Sequence, residues 1–357
     1  MKGKFKIVMV YSKWKSLLQI NWFADDAVRR FISREYNKEM GEFVQKLRRI
    51  QSVFAVDHLN ELLKELPNSY HGTSYTFKRA FSENTMYGYA GQILKYAGIR
   101  QNQMLYFPLL EHGILYADEF DAVRYNLRHS YIFQGRYLED KWNRIKNHRK
   151  AYYIGPYIHY ADSIYSDTQI AEIKKKLGRT ILLFLPHSTE YRNINIDIEN
   201  QIDGYIRKQK ENFDTVLLCV FWKDINDEFL KAIDRKQFKI CSAGFKLDPL
   251  FVRRLKSIIL LADEVLFTSF LSSIGYAYDL NKKVVADVRE DILQGDKRFA
   301  AFNAEFMKYF SAESDCDDKE RYEYIDRYWG LSEKKSPEEI RDIYLDNKKL
   351  LIQRLGF

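Results

Sequence analysis

Two stretches of this chain set an imidazole among other reactive groups directly after an apolar run. In "LLFLPHSTEY" (182–191), the run passes through Pro186 to His187, Ser188, Thr189 and Glu190. In "FPLLEHGILYADE" (107–119) it leads to Glu111, His112 and Gly113. A histidine at a strand end can donate to a phosphate oxygen or act as an acid toward a leaving phosphate. A carboxylate beside a histidine is a general-base candidate when it faces a cleft. A third stretch, "TSFLSSIGYA" (268–277), puts Ser272, Ser273 and Gly275 at the start of a helical segment. Free backbone N–H groups, the helix dipole and two hydroxyls there suit an anion, and Gly275 would let a ligand approach the backbone. "SAGF" (242–245), with Gly244, closes a further strand. Each feature has a plainer reading: a loop histidine, a strand-end turn, a capping serine. The chemical reading gains because anion-suited features leave one inferred sheet at the same end.

Metal chemistry has little support. The seven histidines are scattered, with no HExxH and no CxxC. The one DxD, Asp315-Cys316-Asp317, lies in the polar run "ESDCDDKE", where a solvated acidic loop is expected. No metal and no cofactor are therefore expected to be required. A Gly-rich dinucleotide fingerprint and a phosphate-loop pattern are both absent, which argues against a dinucleotide enzyme or an ATPase.

The elements that must position these residues are clearest in the second half. Apolar runs at 180–185, 215–221, 238–242, 264–269 and 283–287 read as strands, with helix-length segments at 194–212, 225–235, 248–262 and 272–281 between them. Asp248 as cap and Pro249 in the first turn mark the helix at 248. Buried strands alternating with helices predict a parallel sheet covered on both faces, with ligands outside its carboxyl edge. In the first half, 104–109, 130–133 and 151–154 read as strands, 136–149 as a helix, and 25–66 and 74–98 as mostly helical. Leu59, Leu62, Leu63 and Leu66 share one helix face. "GPYIHYADSIYSD" (155–167) is the expected boundary. Ser336, Pro337, Glu338 and Glu339 open a strong helix over 336–355.

Composition bounds the rest. With 357 residues, 46% of them hydrophobic, the chain suits two globular domains. The net charge of +8 favours an anionic partner, but the basic residues are dispersed and no nucleic-acid motif appears, so nucleic acid is not expected. Cys219, Cys241 and Cys316 have no paired spacing and read as free thiols in a reducing compartment. No apolar run is long enough for a signal core or a membrane span.

Taken together, these features resemble the GT-B class of glycosyltransferases, a likeness covering roughly 100–330. Glu111-His112-Gly113, His187-Ser188 and Ser272-Ser273, in that order, are similar to the acidic-Gly, His-Pro and Ser-Ser motifs of bacterial GT-B sialyltransferases and related Kdo transferases. Ser188 stands where that family has Pro, and His112 where it has a second acidic residue. The resemblance implies an α/β fold of two Rossmann-like domains facing a cleft, with extra N-terminal helices. Residues 1–165 would form the acceptor-side domain and 166–332 the donor-nucleotide domain, and a helix in 333–357 would cross back to the first.

The implied activity is metal-independent transfer from a nucleotide-activated sugar, leaning to a CMP-activated acidic sugar, onto a bacterial surface polysaccharide or lipid-linked glycan. His187 and the Ser272/Ser273 pair would hold the donor phosphate, with Ser188, Thr189, Gly244 and Gly275 lining its site. Glu111 or His112 would deprotonate the acceptor. The implied location is the cytoplasm, at the anionic inner face of the membrane. A nucleotide-sugar epimerase, a polyol-phosphate transferase and a non-catalytic scaffold are the alternatives.

Overall fold

The computed structural model describes residues 34–68, 70, 83–111, 113–114, 130–144, 150–188, 209, 211–233, 239–288 and 300–354. His112, Thr189 and nearly all of the helix expected at 194–212 lie outside the described residues.

Two parallel sheets define the architecture. The first has β1 (Leu109–Leu110), β2 (Ser130–Phe133) and β3 (Lys150–Tyr153) in that order. The second is built from β4 (Thr180–Phe184), β5 (Thr215–Cys219), β6 (Lys239–Cys241), β7 (Glu264–Phe267) and β8 (Lys283–Ala286), ordered β6-β5-β4-β7-β8. The α/β class read from the sequence is the one observed. In the second sheet the chain steps outward from β4 to β6, then returns to the other side of β4 to lay down β7 and β8. The strand order therefore reverses between β4 and β7. In an open parallel sheet this is where loops diverge and leave a crevice at the carboxyl edge.

Both faces of the second sheet are buried, as its continuous apolar strands require. Leu182, Phe184, Leu217, Cys241, Val265 and Phe267 share one core with the helix Phe251–Leu261 and with Leu110, Ile132 and Ile154 of the first half. The alternate residues Ile181, Leu183, Val216, Leu218 and Leu266 face the other way. Covering that second face are α1 (Arg34–Leu47) and α2 (Val56–Lys64), through Met40, Phe43, Leu47 and Leu59. These two helices were expected alongside the first sheet. Their apolar stripes instead meet this second face of the five-stranded sheet, where Phe229 and Leu230 also pack.

Among the described residues the remaining helices are α3 (Tyr89–Tyr96), α4 (Glu139–Arg144), α5 (Asp167–Leu177), α6 (Asp227–Ala232), α7 (Phe251–Leu261), α8 (Ser273–Asp279), α9 (Ala300–Phe310), α10 (Asp318–Trp329) and α11 (Pro337–Arg354). Asp248 accepts from Leu250 N at 2.9 Å, so its capping chemistry is present although the regular helix starts at Phe251. Phe251, Val252, Leu255, Ile258 and Ile259 on α7 are buried, each worth about 1.5–3 kcal/mol before chain entropy is subtracted. Asp317 of the DxD caps α10 in a reciprocal box with Glu320, which accounts for that motif structurally.

Ser336 and Glu339 cap α11 in the same reciprocal way, at 3.2 and 2.7 Å. The helix then meets the first half: Arg341 donates to Ala97 O at 2.9 Å and Asn347 to Tyr106 O at 2.7 Å. Among the described residues no helix is long and apolar enough to cross a membrane.

A fully buried ion pair ties α1 to the second sheet. Arg254 bonds Asp248 at 2.6 Å and donates to Leu47 O and Ile50 O at 3.1 and 2.9 Å. Gly244, with φ +94°, makes room for it: a Cβ there would lie 2.9 Å from the Arg254 guanidinium.

Candidate functional site

The switch point places two of the predicted features side by side. β4 runs out into Leu185, Pro186, His187 and Ser188, and its neighbour β7 runs out into Thr268–Ser272. The partly buried imidazole of His187 lies against Phe221, which follows β5, with ring centroids 4.2 Å apart. Its Nδ1 sits 3.1 Å from the Ser188 carbonyl. A carbonyl only accepts, so Nδ1 carries the proton in that contact and Nε2 is left with its lone pair.

Burial holds the imidazole below its ordinary value, opposed first by its bond to the Ser188 carbonyl and then by the Asp224 carboxylate. In the neutral ring Nε2 accepts; it becomes a donor to phosphate only once protonated.

Asp224 was not anticipated. It ends the short 3₁₀ turn Trp222–Asp224 after β5 and accepts from Ser188 N at 3.0 and 3.3 Å. The Ser188 hydroxyl bonds the same carboxylate. Ser188 is therefore buried and committed to Asp224, where a direct phosphate contact had been expected. Burial raises the Asp224 carboxyl, and the bonds from Ser188 offset part of that rise. The signal was available: Asp224 follows an apolar strand just as His187 does.

At the β7 end, Ser272 precedes α8 without capping it. Its Oγ instead accepts from Ile114 N at 3.1 Å, and its carbonyl accepts from the Trp329 indole at 2.8 Å. Ser272 thus joins the loop after β1 to the second sheet. Ser273 is half-buried at the first position of α8. The space beside Gly275, expected to admit a ligand, is filled by the protein: a Cβ there would meet the Trp329 ring at 2.1 Å. Gly244 likewise serves the Arg254 pair, and its amide donates to Ser242 Oγ at 3.1 Å.

At the end of β1, Glu111 is fully buried. One carboxylate oxygen accepts from Gln134 N at 3.1 Å and the other from the Tyr137 hydroxyl. The adjacent Gly113 lies against Ser272, with a Cβ there 3.2 Å from its Oγ. Glu111 and Ser272, 161 positions apart in the chain, are thus brought to the same junction of the two sheets. Gln134 and Tyr137 were not singled out as site residues.

No family model matches the chain, and no curated protein matches it significantly. Among solved structures it is similar to a variant of the wall teichoic acid polymerase TagF, at 14% identity and a TM-score of 0.39, with 64% of this chain and 60% of that one covered. It is also similar to Arabidopsis thaliana UGT89C1 complexed with UDP-L-rhamnose, at 11% identity and a TM-score of 0.38, over 87% of this chain and 80% of that one. The chain spans about 60% of the length of the TagF structure. Likenesses this distant carry no argument about activity.

Proposed function

We propose that the chain is a GT-B-type glycosyltransferase that takes a nucleotide-activated sugar, leaning to a CMP-activated acidic sugar, and transfers it to a glycan or lipid-linked glycan. The carrying observation is the strand-order reversal between β4 and β7, with His187 and Ser272 at the two strand ends that flank it. In this reading the donor phosphate enters the crevice there. Its negative charge draws a proton onto His187, and Nε2 then donates to the phosphate and stabilises it as it leaves. Ser272 and Ser273 supply hydroxyl donors, so charge stabilisation would need no metal.

Ser188 acts through Asp224. Gly244 and Gly275 serve by admitting Arg254 and Trp329. The acceptor hydroxyl's proton is assigned to His112, while Glu111, the other candidate, is sealed between Gln134 and Tyr137 and holds the strand end that precedes it. The acceptor-side and donor-side units would divide within 155–167, and the dispersed positive charge would suit an anionic membrane face at the cytoplasmic side.

A thermal-shift titration with CMP, UDP, GDP and CDP on wild type and His187→Ala tests this. Stabilisation by one nucleotide, lost in the variant, supports the donor site and names the donor class. No stabilisation by any of them would sink the reading.

A further inference from the structure

The turn after β5 holds more of His187's environment than the strand that carries His187 does. Phe221 packs on the imidazole face, and three residues later Asp224 takes both the N–H and the hydroxyl of Ser188. Ser188 is in turn the residue whose carbonyl receives Nδ1. A chain of contacts therefore runs from the Asp224 carboxylate through Ser188 to the imidazole. Held by both its N–H and its hydroxyl, Ser188 keeps its backbone and side chain in place on Asp224, and its carbonyl, on the far side of the same Cα, is turned toward the imidazole. The ring, packed at a tilt against Phe221, meets that carbonyl through Nδ1, the nitrogen nearer the backbone. Ser188 is almost fully buried, so its N–H and hydroxyl would find little water to replace Asp224, and the turn is held by these bonds.

We propose that Asp224 is the positioning residue of His187: it fixes the 187–188 turn so that Nδ1–H is spent on the Ser188 carbonyl and Nε2 alone faces the substrate. Naming that substrate as a nucleotide phosphate rests on the donor-site reading above; the coupling of Asp224 to His187 does not. Asp224 has two separable effects. Its hydrogen bonds set the tautomer, and its charge favours the imidazolium. Among the described residues, Asp224 is the charge acting on His187, while His187 and Lys223 are the charges acting on Asp224. When a phosphate arrives, the proton it recruits can sit only on Nε2, because Nδ1 already holds one. The site would thus bind an anion by taking up one proton, and affinity for it would rise as pH falls toward the His187 transition.

The test is an NMR pH titration of protein carrying ¹³C,¹⁵N-histidine, with His187→Ala used to assign the signal. Wild-type His187 should show the Nδ1–H tautomer and titrate below an ordinary histidine. Asp224→Asn keeps an acceptor for Ser188 but removes the charge, so the tautomer should persist while the pKa falls further. Asp224→Ala removes both, and the Nε2–H tautomer should appear. An unchanged tautomer and an unchanged pKa in both variants would overturn the proposal. If the alanine variant does not fold, an unshifted pKa in the asparagine variant overturns it alone. Adding CMP or UDP to the wild type reads the other question in the same signal. If the nucleotides leave His187 unmoved while the Asp224 variants shift it, the donor reading fails and the positioning role stands.

Discussion

At the carboxyl edge of the three-stranded sheet, Glu111 is sealed from solvent and both of its oxygens accept hydrogen bonds from the surrounding fold. At the edge of the five-stranded sheet, His187 is only half-buried and keeps one nitrogen with a lone pair. The first residue is arranged as a keystone; the second keeps a nitrogen that the fold does not use, and is the reagent only in the proposed reaction. A buried carboxylate bonded to a backbone N–H and a phenol fixes the geometry of the strands around it. An imidazole packed against one ring and tethered through one nitrogen can change charge without the fold changing with it. Motifs that look alike in sequence can thus divide the labour between holding a cleft and acting within it.

The sharpest way to break this comparison is to truncate both residues. Glu111→Ala strands the Gln134 N–H and the Tyr137 hydroxyl, and should cost about 2–4 kcal/mol in urea denaturation. His187→Ala should cost less than about 1 kcal/mol and yet abolish nucleotide-induced stabilisation. Equal stability losses would dissolve the distinction.

Next comes Gly275→Ala, which drives a methyl group into the Trp329 ring and should cost about 1–3 kcal/mol by thermal or chemical unfolding. A neutral result would mean that the glycine is there for a ligand after all. Ser272→Ala leaves the buried Ile114 N–H without its acceptor; about 1 kcal/mol of stability should go, together with part of any nucleotide response.

The smallest effect is on pH dependence. Folded His187 binds its proton less tightly than the unfolded chain, so wild type should lose stability as pH falls below the ordinary histidine value of 6.5. The loss stops once the folded imidazole is itself protonated. Asp224, whose carboxyl is raised in the fold, contributes the opposite slope just above its ordinary 3.8. Subtracting the curve of His187→Gln from that of wild type isolates the histidine slope. A flat difference would mean the imidazole is as well solvated folded as unfolded.

Legibility in the sequence was uneven for physical reasons. The second sheet's strands are apolar on both faces, so unbroken runs announced them, and each of the five strands begins within a residue of where it was expected. The first sheet is harder to read. The run 104–109 looked like a strand, but Gln101–Tyr106 coils as a 3₁₀ helix and pairing begins only at Leu109. Pro108 has no N–H to give a ladder, so the sheet starts beyond it. Pattern also could not say what fills the space beside a glycine. Gly275 and Gly244 face side chains contributed from Trp329 and Arg254, and only the fold brings those pairs together. His187 and Ser272 could be read because strand-end logic applies to each separately. The same logic, carried one strand further, would have reached Asp224.

Ser272 has one more consequence. Its oxygen accepts the amide proton of Ile114, which leaves its own proton to give away. A hydroxyl that gives its proton to an anion becomes a better acceptor, because neighbouring hydrogen bonds polarise one another. An anion bound by Ser272 would therefore tighten the bond that fastens the loop after β1 to the second sheet. By linkage, holding the two sheets together would favour the anion to the same degree. One serine is then enough to make filling the crevice and bracing its walls a single thermodynamic event.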